Sequence, residues 1–208
     1  MTAKELFNEA DKQRIESAVQ QVEKLTSGEI VPMIVDHSYD YPRAEILGSG
    51  LFSLATAVSF SWAFFGESLW HFLWLFALCY FPFKLMIRNW PGLRRRLIHP
   101  DEIKEEVQEK AIVSFLEHGL HHTRDETGIL ILISLFERRV QVLADRGIND
   151  VVPPNTWDGL VQSLTEGIQK GDTCNALCKA IESCGQLLVE HFPVKSDDTD
   201  ELSNLIIE

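Results

Sequence analysis

Positive charge is scarce in this chain. Lys and Arg number 19 against 31 Asp and Glu, a net charge of −12 over 208 residues. A protein that neutralises phosphates needs a basic face, so nucleic-acid binding is excluded. Cysteine is scarce too. Cys79, Cys174, Cys178 and Cys184 are too few and too oddly spaced for a disulfide framework. The sequence has no phosphate loop, no Gly-rich dinucleotide fingerprint behind a strand, no Gly-x-Ser-x-Gly and no Cys-x-x-Cys. Nucleotide, serine-nucleophile and dithiol chemistry therefore find no support. Disorder is excluded as well, because 45% of the residues are hydrophobic and 10% aromatic.

Charge is also nearly missing from residues 46–87, and what fills that space is apolar. The stretch holds 8 of the 12 Phe and 3 of the 5 Trp, with Glu67 and Lys84 as its only charges. Residues 46–65 form a run of about 30 Å as a helix, the thickness of a bilayer core. Residues 69–87 form a second. Gly66 can end one helix and Ser68 can cap the next. The pattern predicts a transmembrane helical hairpin with a short turn at Gly66-Glu67-Ser68. A soluble chain of this size could not wrap two fully apolar helices. Tyr39, Tyr41 and Trp90 flank one side and Trp62, Trp70 and His71 the other, as interfacial side chains do. Ser49, Ser53, Ala57 and Ser61 make a small-residue stripe for contact with the second span or with another copy. Pro82 is expected to bend the second span. Arg43, Arg88, Arg94, Arg95 and Arg96 lie on one side of the hairpin and none in its turn. The positive-inside bias places both flanking segments in the cytoplasm. Residues 1–29 are polar and carry no apolar signal-peptide region.

Outside the hairpin the periodicities alternate between helix and strand. Residues 4–25 have helical spacing, with a break expected near Asp11. Residues 29–36 read as a short strand, with Pro32 placing it at a sheet edge or bulge. Residues 100–122 are a charged amphipathic helix entered through Pro100 and Asp101. Residues 128–136 are a continuous apolar run, as in a strand covered on both faces. Residues 137–144 alternate and suit its hairpin partner. Two helices follow, at 155–169 and 173–190. The expected fold is a small α/β sandwich, a short mixed sheet flanked by helices, with the hairpin inserted in its first crossover. Residues 1–45 and 88–193 then make one domain, 46–87 the hairpin, and 194–208 an acidic loose tail.

Several of these segments resemble one known family. They are Thr26-Ser27-Gly28-Glu29-Ile30-Val31, then Thr127-Gly128-Ile129-Leu130-Ile131-Leu132-Ile133-Ser134, and Glu137-Arg138-Arg139-Val140-Gln141-Val142. Asp145-Arg146-Gly147-Ile148, Trp157, Gly171, Ala176 and His191-Phe192-Pro193 continue the match. The chain resembles the TPM domain family over about residues 8–193, and most of all its bacterial membrane branch. The resemblance implies an α/β sandwich. It also implies roles linked to calcium binding, acid phosphatase activity or the assembly of membrane complexes. Two motifs depart from the common pattern: Glu126-Thr127-Gly128 stands for Asp-Asn-Gly, and Asp145-Arg146-Gly147-Ile148 for Gly-aromatic-Gly-Leu.

The topology sorts the candidate chemistry. If the first two strands are parallel and the third antiparallel, Glu29, Asp125, Glu126, Asp145 and Asp150 share one sheet end with Arg124 and Arg146. Such an oxygen-rich edge suits Ca²⁺ or Mg²⁺. Its alternative is a solvated edge of Arg–Asp pairs. Asp36, His37, Glu137 and Arg138 share the other end. His118, His121 and His122 close the crossover helix, either as transition-metal ligands one turn apart or as polar groups suited to a helix C-terminus. Cys174, Cys178 and Cys184 share the apolar stripe of the last helix and read as core residues. The expected function is a non-enzymatic adaptor or assembly factor at the bacterial inner membrane. It would bind the bilayer and a membrane protein partner, with a homo-oligomer through the hairpin as a further option. The alternative is a divalent-metal-dependent, phosphatase-like hydrolase at the acidic edge.

Overall fold

The computed structural model describes residues 2–65, 69–194 and 202–208. The expected turn at Gly66-Glu67-Ser68 and residues 195–201 of the expected tail lie outside the described residues. The chain forms two compact units, Met1–Ser38 with Glu105–Glu208, and the inserted Tyr39–Lys104. In chain order come α1 (Ala3–Leu6), α2 (Glu9–Glu23) and β1 (Glu29–Val35). The insertion carries α3 (Pro42–Phe60), α4 (Leu69–Asn89) and α5 (Pro91–Arg96). Then follow α6 (Pro100–Glu117), β2 (Gly128–Ser134), β3 (Arg139–Ala144) and α7 (Arg146–Asn149). The chain closes with α8 (Thr156–Gln169), α9 (Thr173–His191) and β4 (Ile206–Ile207).

The four strands make one sheet in the order β3-β2-β1-β4. β1 runs parallel to β2, and β3 antiparallel to β2, as their spacing predicts. Every residue of β1 and β2 is buried, which explains why β2 reads as an unbroken apolar run. Alternate side chains feed two cores. Ile30, Ile34, Ile129, Ile131 and Ile133 meet Ile15, Val19, Leu177 and Ile181 of α2 and α9. Val31, Met33, Val35, Leu130 and Leu132 meet Val107, Ala111 and Phe115 of α6. Each such side chain contributes about 1.5–3 kcal/mol when fully buried. β3 buries Val140 and Val142 on one face and only partly covers Gln141 and Leu143 on the other, so its pattern alternates.

Three features differ from the sequence expectation. The break in the first helix falls at Phe7-Asn8, because Asn8 caps α2: its side chain accepts the Asp11 N–H at 2.8 Å, and the Asp11 carboxylate takes the Asn8 N–H. Short α5 and α7 are added. Most consequential, the end of the expected loose tail is a strand: Ile206 and Ile207 pair in parallel with Met33 and Ile34. Pro32 shows why β1 accepts this position. Residues 34 and 36 direct their backbone groups at β4, where Glu208 N–H meets Ile34 C=O at 2.9 Å and Asp36 N–H meets Glu208 C=O at 3.2 Å. Pro32 has the same parity, so its missing N–H faces the outer edge of the sheet and no inner ladder bond is lost.

In the inserted unit, α3 and α4 pack side by side. Ser49, Ser53, Ala57 and Ser61 are all buried, so the small-residue stripe is already covered within one chain. Phe52 of α3 meets Phe83 of α4, ring centroids 5.7 Å apart. Arg94 of α5 reaches Glu45 of α3 at 3.5 Å. Pro82 lies within α4, which continues past it.

Candidate functional site

The acidic edge is assembled by backbone pairing. Glu29 opens β1 opposite Gly128, and its N–H meets Thr127 C=O at 3.2 Å. Asp145 follows β3, and its N–H meets Gly128 C=O at 2.9 Å. Glu126 adopts a left-handed backbone, φ 57°, that folds the loop before β2. Gly147 then packs on that loop: a Cβ there would lie 2.7 Å from the carbonyl oxygens of both Asp125 and Glu126. No other residue permits so close an approach. Glu29, Asp125, Glu126 and Asp145 are thus carried to one sheet end, with Asp150 one helical turn farther on.

Their side chains are differently employed. Glu29 is buried. Asp145 caps α7, accepting the Arg146 N–H at 2.7 Å, and its second oxygen is buried without a partner among the described residues. Asp150 lies 3.6 Å from Arg146, both exposed, a pair worth about 0–1 kcal/mol. Among the described residues, no three His, Cys, Asp or Glu side chains converge as a cation requires. The edge as it stands does not fit a Ca²⁺ or Mg²⁺ ion.

The histidines do not share a helical face. α6 ends at Glu117, and Gly119 turns left-handed at φ 74° before a 3-10 turn at Leu120–His122. The one-turn spacing of His118 and His122 is therefore broken. His118 instead lies 3.8 Å from the Glu208 carboxylate, while the His121 and His122 rings sit 3.8 Å apart.

The cysteines are core residues, as their spacing predicts. Cys178 and Cys184 are buried against α2 and the sheet. Burial pushes the Cys184 thiol up to about 12. Burial, with the neighbouring Cys178 and Asp11, pushes Cys174 up to about 12 as well, and burial raises Cys178. Thiols so raised stay protonated and are poor nucleophiles.

At the opposite sheet end lies a cluster that the sequence does not reveal. Glu137 is fully buried in the β2–β3 turn. It accepts the Ser38 N–H at 3.0 Å and the Ser134 hydroxyl, which itself accepts from the Ser38 hydroxyl at 3.1 Å. These bonds lock the exit of β1 to the turn. The domain also has a cleft of about 690 Å³ between α8 and α9, lined by Trp157, Leu160, Lys170 and Lys179 among others. The two helices meet at Gly167, where a Cβ would lie 2.3 Å from that of Ala176.

The inserted unit, taken by itself, exposes apolar side chains. Trp70, Trp74, Leu78 and Phe81 of α4 are 73%, 76%, 71% and 73% exposed. Two helices, Pro42–Phe64 and Leu69–Asn89, are long and apolar enough to cross a membrane.

One comparison agrees with the family that the motifs resemble. Residues 96–187 match the family model described as the TPM domain. No curated protein matches the chain. The NMR structure of the BA42 protein from the psychrophilic bacterium Bizionia argentinensis is similar over 97% of this chain and 94% of that one, with a TM-score of 0.59 and 22% identity. At that identity the likeness speaks for the fold.

Proposed function

We propose that the apolar hairpin anchors this TPM domain in a membrane, and that the domain is a docking module for a membrane protein partner. The observation that carries the reading is the exposure of the apolar spans. A core helix of a soluble protein is mostly buried, yet only 6% of the most apolar window of α4 is. Exposing Trp74, Leu78 and Phe81 to water would forfeit about 25 cal/mol for each Å² of apolar surface. A bilayer removes that penalty. The Arg residues at 43, 88 and 94–96 support a cytoplasmic domain at a bacterial inner membrane.

An adaptor suits the domain better than a metal-dependent hydrolase. Its carboxylates are divided among a buried position, a helix cap and an exposed ion pair, and its thiols are held protonated. Hydrolysis needs a convergent metal site or an activated nucleophile. The test is an alkaline carbonate wash of membranes, with reporter fusions at Met1 and Glu208. Retention in the pellet with both reporters cytoplasmic is expected. Release into the soluble fraction removes the anchor, and extracellular reporters reverse the topology.

A further inference from the structure

We propose that the outer edge of β1 is a strand-receiving site, closed here by the chain's own residues 202–208. Its occupant in the working protein is an extended partner segment with alternating aliphatic side chains and a carboxylate at the Glu208 position.

The edge is built to admit only a short strand. Beyond β4, the Ile30 N–H is taken by the Glu23 carboxylate at 3.3 Å, and Pro32 has no N–H to offer. Towards the end of β1 the edge still offers backbone groups to an incoming chain, among them the Ile34 C=O and the Asp36 N–H that Glu208 now occupies. An unfilled edge of this kind invites pairing. Specificity comes from three directions. Ile206 packs on the α6 side of the sheet, with Met33 and Phe115. Leu205 and Ile207 pack on the α2 and α9 side. Glu208 is met by Lys110 of α6 at 2.9 Å and by His118, just past the end of α6, at 3.8 Å. Two apolar faces and a cationic stop thus define the ligand chemistry.

The chain's own segment is an imperfect fit. Its ladder is two residues long, its isoleucines are only half-buried, and the Asn204 side-chain oxygen is buried without a partner among the described residues. Each is a weakness that a better strand would remove. The site gives the docking role proposed above a definite surface. It is tested in detergent, so failure of the membrane anchor would leave it standing.

The probe is a fluorescent peptide with the sequence of residues 202–208, added to the full chain in detergent. The variant Ile206→Asp with Ile207→Asp should release the native segment and bind the probe saturably. The parent should bind at least about tenfold more weakly, because its tethered segment competes at high effective concentration. Adding Lys110→Glu to the variant should weaken the probe about threefold or more. No saturable binding by a variant that still melts cooperatively would overturn the proposal, as would equal binding by parent and variant. A variant that dimerises without probe would name a second copy as the occupant and overturn the partner assignment. A measurement on the parent stands apart from any variant: hydrogen exchange at Glu208 should be much faster than in β2. Equal protection would mean that the segment leaves only on unfolding, and would overturn the proposal.

Discussion

The N–H of Ser38, the residue three past the end of β1, donates at 3.0 Å to the buried carboxylate of Glu137, in the turn between β2 and β3. The pair joins residues 99 positions apart, one on each side of the inserted unit. The same carboxylate takes the Ser134 hydroxyl. Glu137→Ala leaves these donors buried without their acceptor. The domain should lose about 2–3 kcal/mol, measured by urea unfolding. Glu137→Gln keeps an acceptor and should lose less; equal losses for the two would show that only the side-chain volume counts.

The small-residue face of α3 gives a second prediction. Ser53→Leu with Ala57→Leu adds bulk where both positions are fully buried. The two spans should be forced apart. Cysteines placed at Phe52 and Phe83, whose rings are 5.7 Å apart, should be bridged by a short thiol crosslinker in the parent. The bridge should fail in the double-leucine variant, and unchanged crosslinking would refute this packing role.

A third concerns alkaline pH. In the folded chain the Cys184 thiol is raised from 9.0 to about 12, so between those values the fold holds a proton that the unfolded chain releases. The associated stability is fully present below pH 9 and declines as pH rises towards 12. Thermal midpoints should fall over that interval, and less so in Cys184→Ala measured against its own lower baseline. At pH 8, iodoacetamide should label Cys184 only on the timescale of unfolding.

The acidic edge provides a fourth. With no three carboxylates converging among the described residues, calcium titration by calorimetry should show no micromolar site. Asp125→Ala and Asp145→Ala should leave the weak residual heats unchanged. Micromolar binding abolished by both substitutions would mean that the loops rearrange around the ion. Gly147→Ala should separate the loops outright, at a loss of about 1–3 kcal/mol.

Much of this fold is legible in the sequence. The unbroken apolar run of β2 announces burial on both faces, and the two long apolar runs in the insertion announce the paired helices. Both signals are local and repeated over many residues. What is not legible depends on single contacts. β4 is two residues long and follows an acidic stretch, so no periodicity marks it. Gly119 breaks the apparent His118–His122 spacing through one left-handed residue. The strand directions bring the acidic residues to one sheet end. Which way each carboxylate turns is decided by the Asp145 cap and by the approach of Gly147, which composition does not encode. Glu137 looks like a surface turn residue until Ser38 is seen beside it.

The insertion between β1 and β2 also sets an order of events during synthesis. Glu29 pairs with Gly128, so the central parallel ladder cannot begin to close until 99 further residues have been made, the whole apolar hairpin among them. Until then the first strand, apolar at six of its seven positions, waits without a neighbour on either side. Ribosomes add about 5–20 residues each second, which leaves it exposed for roughly 5–20 seconds. Chain order alone therefore makes the sheet wait for the synthesis of the inserted hairpin before its central strands can meet.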